Sequence, residues 1–267
     1  MPTDTVTPTP DVAVALTTAL EAKDLTKAYY STEPPTQVLN GIDLSVRAGE
    51  FLAVMGASGS GKSTLLYAVS GMDRPTTGEV WLEGVNLSQL TEPQMARVRL
   101  TRMGFVFQQA YFLSNLNIRD NILLPALKAA PKEKDAVLAR VDALMERFGI
   151  SHIANHGVTE VSGGQLQRAS ICRALASEPA IVFADEPTGA LNSSMSLEVM
   201  DALTAVHHGG TTLVMVTHDP GCAARADRVV YLRDGLVVDS RELDRWTSQA
   251  AEQREGDLID WLRSLGF

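Results

Sequence analysis

One octapeptide constrains this chain more than any other. GASGSGKS, Gly56 to Ser63, follows the apolar run Phe51 to Met55 and precedes an apolar stretch of helical character. The pattern G-x-x-x-x-G-K-[ST] between a buried strand and a helix is a phosphate-binding loop. Gly56, Gly59 and Gly61 let the backbone turn its N–H groups inward, and the following helix directs its positive end at the same anion. Lys62 is expected to reach the β- and γ-phosphates of a nucleotide, Ser63 to hold Mg²⁺, and Thr64 to add a phosphate contact. Ala57, Ser58 and Ser60 complete the candidate nucleotide site.

Such a loop demands an α/β fold, and two further apolar runs supply the strands. Ile181 to Ala184 runs into Asp185 and Glu186, and Leu213 to Val216 runs into Thr217 and His218. All three runs suit strands buried on both faces of a sheet. The C-terminal ends of parallel strands share one edge, where α/β proteins bind ligands, so the three polar events are expected to converge. Val137, Val141, Leu144, Met145 and Phe148, at three- and four-residue spacing within Lys132 to Ile150, mark a helix in an insert of about 109–177. Stretches around Glu21 to Tyr30 and Val38 to Val46 read as strands of a smaller antiparallel sheet. Residues 1–18 read as a disordered tail, 19–240 as the main domain and 241–267 as a helical extension. In that extension Leu258, Trp261, Leu262 and Leu265 form a stripe expected to dock on the chain's own domain.

Composition narrows the classes. With 267 residues, 45% of them hydrophobic, the chain is long enough to bury a real core. No apolar run approaches the roughly eighteen residues that cross a bilayer, so a membrane role is expected to come through a partner. A net charge of -9 argues against broad contact with nucleic acid, which asks for a basic face. Cys172 and Cys222 have no metal-type spacing and suit a reducing compartment as small core residues. The N-terminus lacks the basic start and apolar centre of a signal peptide.

The adjacent acids Asp185 and Glu186 are costly to desolvate without a positive partner. A Mg²⁺ nucleotide on the phosphate loop supplies one: Asp185 approaches the cation, directly or through water. Successive strand residues point to opposite sides, which frees Glu186 to deprotonate a water as general base. The plainer reading, a pair of first-turn acids before a helix, loses its force beside the loop. A second anion site is expected at VSGGQLQR, Val161 to Arg168, where Ser162 is a natural N-cap and Gly163 and Gly164 permit close backbone approach. Two such sites in one modest domain cannot easily wrap one triphosphate.

From about Glu21 to Asp239 the chain resembles an ABC transporter ATPase. GASGSGKS is similar to Walker A, FVFQQ carries a Q-loop at Gln108, VSGGQ is similar to the signature motif with Val161 in place of the usual Leu, IVFADE is similar to Walker B, and His218 matches the switch histidine. The resemblance implies a P-loop NTPase of mostly parallel core sheet, with an N-terminal antiparallel β subdomain and an inserted helical subdomain. It implies ATP and Mg²⁺ as cofactors, Ser63, Gln108 and Asp185 toward the metal, and Glu186, His218 and Gln108 as the catalytic set. It further implies that Gln108 senses the membrane partner. Ser162, Gly163, Gly164 and Gln165 then grip the ATP held by a second copy of the chain. Tyr29, in TKAYY, takes the place of the aromatic that stacks on adenine, with Tyr30 as nearby rival. Arg97, Arg99 and Arg102, before the Q-loop, read as a solvated helical face.

STLLYAVSGMDRPTTGEV, MGFVFQQAYFLSNLNIRDNILLP and EPTGALN resemble the macrolide-exporter and lipoprotein-release superfamily, and within it the bacitracin-type peptide-resistance branch. Asn192 is typical of that branch, whereas the wider family has Asp in this D-loop. The resemblance implies an ATPase that powers a separate membrane permease for a peptide, antibiotic or lipid-like molecule, held at the cytoplasmic face of the plasma membrane. A regulatory switch of a signalling or cell-division complex uses the same site. A DNA-maintenance ATPase ranks last, because the helical insert is short and the charge acidic.

Overall fold

The structure, a computed structural model, describes residues 17–31 and 33–267. The expected tail lies outside these residues up to 16, and Thr18 already belongs to a strand. The chain runs through β1 (Thr18–Tyr29), β2 (Thr36–Arg47), β3 (Phe51–Met55), α1 (Lys62–Val69), β4 (Thr77–Leu82), β5 (Val85–Asn86) and α2 (Glu92–Arg102). It continues with β6 (Met103–Phe107), α3 (Ile118–Ala129), α4 (Lys134–Arg147), α5 (Gly163–Leu175), β7 (Ile181–Asp185) and α6 (Ser193–His208). The last elements are β8 (Thr212–Val216), α7 (Pro220–Ala223), β9 (Arg228–Arg233), β10 (Leu236–Glu242) and α8 (Ala251–Ser264).

Two sheets result. The core sheet has the order β10-β9-β3-β8-β7-β6, parallel throughout except for the β9–β10 pair, and the smaller antiparallel sheet has the order β2-β1-β4-β5. Every residue of β3, β7 and β8 is buried. Their continuous apolar runs are what covering both faces of a parallel sheet requires. Alternate residues go to opposite layers: Phe51, Ala53, Met55, Val182 and Ala184 face a core shared with α3 to α6. Leu52, Val54, Ile181 and Phe183 face a second core closed by α1 and the antiparallel sheet.

Helix α4 buries Val137, Val141 and Met145, the stripe read from the sequence. Helix α5 is fastened to the end of β6: Gln167 Nε2 donates to the Phe107 carbonyl at 2.8 Å, and Arg173 Nη2 donates to that of Ala110 at 2.6 Å. These bonds bracket Gln108. On α2, Arg99 donates to the Gly71 carbonyl and pairs with Glu92, and Arg102 pairs with Glu83, so two of the three arginines are engaged.

Helix α8 docks on the same body, with Leu258 and Leu262 fully buried. Its Arg254 is buried too, donating to the carbonyls of Ala224 at 2.6 Å, Ala226 at 2.5 Å and Asp244. Among the described residues no helix is long and apolar enough to cross a membrane.

Candidate nucleotide site

The loop Gly56 to Gly61 connects buried β3 to α1 at the C-terminal edge of the core sheet. All three loop glycines are required by geometry. At Gly56 a Cβ would lie 2.2 Å from the Leu232 carbonyl oxygen, and Gly59 and Gly61, the latter the N-cap of α1, have φ of 80° and 101°, the left-handed region. Ala57, Ser58 and Gly59 form the exposed tip, while Ser60 and Lys62 are buried. The Lys62 ammonium folds across the loop and donates to the carbonyls of Gly56 at 2.8 Å and Ala57 at 3.0 Å. Burial holds its pKa below the usual lysine range, with Glu186 and Asp185 pulling the other way. Ser60 Oγ is buried with no hydrogen-bond partner among the described residues.

The two carboxylates go to different partners because β7 ends at Asp185 and Glu186 lies just beyond it, not on the opposite face of the strand as the sequence suggests. Asp185 ends β7 buried and turns toward α1, where Ser63 Oγ donates to its Oδ1 at 2.9 Å and the Tyr67 hydroxyl donates to its Oδ2 at 2.5 Å. Burial, then the bond to Asp185, raises the Tyr67 pKa. Glu186 leaves the strand at φ of 46° and meets His218 Nδ1 at 2.9 Å through its Oε2. The Glu186 N–H bonds to the Val216 carbonyl at 3.0 Å, which ties the two strand ends together. Non-glycine residues seldom adopt that φ, though Asp24, Glu83, Tyr111, Glu178 and Asp234 share it elsewhere in the described residues. Gln108 is exposed, with Nε2 against Gly189: a Cβ there would lie 2.9 Å away.

These residues fit magnesium. The ion takes hard oxygen ligands, few of them from protein, with phosphate and water supplying the rest. Ser63 Oγ and Asp185 Oδ1 are two such oxygens side by side, next to a lysine suited to phosphate. Among the described residues no group of three or more His, Cys, Asp or Glu forms a metal cluster, and this ion needs none.

The second candidate anion site lies elsewhere. Ser162 caps α5: its Oγ accepts from the Gln165 N–H at 3.2 Å, and Gln165 Oε1 accepts from the Ser162 N–H at 2.9 Å. Gly163 and Gly164 rest against Leu191 and Met195, where a Cβ would come within 3.1 Å of each. Among the described residues no hydrogen bond joins 162–165 to the phosphate loop. Thr64 follows Ser63 in the first turn of α1, half-buried. Tyr29 ends β1 half-buried, its hydroxyl donating to Asp73 Oδ2 at 2.9 Å and Lys27 Nζ lying 4.9 Å from its ring centroid. Tyr30, the rival, is 72% exposed. Asn192 is the N-cap of α6, its Oδ1 accepting from the Met195 N–H at 3.0 Å and from Ser194 Oγ at 2.9 Å.

Sequence reasoning missed Tyr67. Its signal was the four-residue spacing from Ser63, which sets both hydroxyls on one face of α1.

Comparison with known proteins gives a consistent picture. The family model described as ABC transporter matches residues 39–189. The macrolide export ATP-binding/permease protein MacB of Chlorobaculum tepidum is 41% identical over 225 residues, covering 84% of this chain and 34% of that protein. That of Chlorobium luteolum is 43% identical over 231 residues, with 86% and 34% covered. The chain thus spans about a third of the length of the curated relatives it matches. Among solved structures, the dimeric post-hydrolysis state of the ATP-binding cassette MJ0796 bound to ADP and Pi is 34% identical with a TM-score of 0.75. That match covers 85% of this chain and all of the other.

Proposed function

Because the chain belongs to the ABC transporter family and carries its ATPase cassette, we propose that it hydrolyses MgATP in a dimer with a second copy and drives an integral-membrane permease at the cytoplasmic face of the plasma membrane. The observation that carries this reading is the strand-end arrangement. Lys62, the Ser63–Asp185 pair and the Glu186–His218 pair stand on loops and helix starts at one sheet edge.

Lys62 and the loop N–H groups bind the phosphates, and Ser63 and Asp185 hold the metal, which neutralises phosphate charge when bound. Glu186 takes the proton of the attacking water, held in place by His218. Tyr29 offers its ring to adenine. Ser162, Gly163, Gly164 and Gln165 face the other copy's phosphates, which fits an N–H cluster with no hydrogen bond to its own chain's loop.

Beside Gln108 a groove of about 420 Å³, lined by Phe107, Tyr111, Leu100, Pro125 and Arg173, is a suitable seat for the permease. Of the antibiotic, antimicrobial-peptide and lipid-like substrates considered, the name of the relatives, macrolide export, supports the antibiotic. The expected result for Glu186→Gln is retained MgATP binding and hydrolysis slowed at least about a hundredfold, since positioned bases contribute roughly 10²–10⁴. Near-normal turnover in the purified permease complex removes Glu186 from the base role.

A further inference from the structure

Both oxygens of the Asp185 carboxylate are engaged, and by the same helix. Ser63 Oγ reaches Oδ1 at 2.9 Å and the Tyr67 hydroxyl reaches Oδ2 at 2.5 Å. Ser63 is the first of these in the phosphate loop, and the nucleotide-site reading already gives its oxygen to the metal. A carboxylate anchored at one oxygen alone still pivots, because its terminal torsion is broad. Tyr67 removes that freedom. A neutral phenol has a proton to give and a charged acceptor beside it, which makes the bond a strong one.

We propose that Tyr67 is a positioning residue for the metal site, its hydroxyl holding Asp185 Oδ2 so that the other carboxylate oxygen faces Mg²⁺ beside Ser63. The proposal rests on the nucleotide-site reading above. It differs from a packing role, for which the ring of Tyr67 is enough and the hydroxyl dispensable. Partners that orient a metal-binding carboxylate typically cost 10–100-fold in metal affinity when lost. Tyr67 sits where such a partner belongs: its hydroxyl is bonded to Asp185 Oδ2, the oxygen turned away from Ser63.

Tyr67→Phe keeps the ring and deletes the hydroxyl. Calorimetric titration of the full chain with a non-hydrolysable ATP analogue, once with excess Mg²⁺ and once with EDTA, separates the metal contribution from phosphate binding. The expected result is an EDTA affinity within about twofold of the parent and a Mg²⁺ enhancement reduced about 10-fold or more. Asp185→Asn runs alongside and is expected to lose the enhancement altogether. If Asp185→Asn loses it while Tyr67→Phe keeps it whole, the proposal is overturned and the site reading stands. Equal losses of Tyr67→Phe affinity with and without Mg²⁺ overturn it as well, since that is the mark of a merely structural role. If Asp185→Asn keeps the enhancement, the metal reading of Asp185 falls, and the role of Tyr67 with it.

Discussion

The two loops that open α1 and α5 are both glycine-rich helix starts suited to anions, yet the chain builds them by opposite means. The first is fixed by distant parts of the sequence. Gly56 lies under the Leu232 carbonyl, the Ser60 carbonyl accepts from the Gly235 N–H at 3.1 Å, and Ser63 is bonded to Asp185. The second holds itself, through a reciprocal pair of bonds between Ser162 and Gln165, with Leu191 and Met195 as its seat. A loop determined by tertiary contacts needs its own fold to be complete. A loop capped by its own first turn is a finished surface, ready to be offered to another molecule. That contrast, more than either motif alone, supports sites shared between two copies.

The largest test of the contrast is Lys62→Ala. Loss of a charge-assisted contact worth roughly 1.5–3 kcal/mol is expected to weaken MgATP binding about 10- to 100-fold. Because the lysine also bridges the carbonyls of Gly56 and Ala57, circular dichroism should accompany the titration. An unchanged Kd removes the lysine from the phosphate contact.

The seat of the second loop provides a smaller effect. Asn192 caps the helix that carries Met195, so Asn192→Leu is expected to cost about 0.5–2 kcal/mol in thermal or urea unfolding. Asn192→Asp preserves a capping oxygen and should leave both stability and turnover close to the parent, within about tenfold in rate, or roughly 1.4 kcal/mol in the barrier. If Asp abolishes turnover while Leu is tolerated, charge governs this position and capping does not.

The smallest effect is the most decisive. In an isolated mixed dimer, pair one subunit carrying Lys62→Ala with one carrying Gly163→Asp. Shared sites place both defects in one site and leave the other whole, so single-turnover hydrolysis is expected to fall only about twofold, one site of the pair remaining. Sites completed within each chain are both damaged, and hydrolysis vanishes.

Much of this arrangement was legible in the sequence, for a physical reason. The phosphate loop, the buried strands and the period of α4 are local patterns whose cause lies in adjacent residues. By resemblance Asn192 marks a branch, yet Asn before the helical run Ser193 to His208 is also an ordinary cap signal, and the fold uses it as one. Tyr67 was hidden inside STLLYAV, where an aromatic among leucines reads as core. Only the fold brings Asp185, far away in sequence, to its hydroxyl. Arg97 and Arg102 do lie on an exposed face, Arg102 pairing there with Glu83, while Arg99 is half-buried and bonded to the Gly71 carbonyl and Glu92. Long side chains choose partners by tertiary position, which periodicity does not encode.

Arg254 acts as a clasp. Its guanidinium holds the carbonyls of Ala224 and Ala226, in the turn that follows α7, together with that of Asp244 beyond β10. One side chain of α8 thereby staples the entry to β9 to the exit from β10, so the helix is latched to the core sheet by backbone hydrogen bonds as well as by the burial of Leu258 and Leu262.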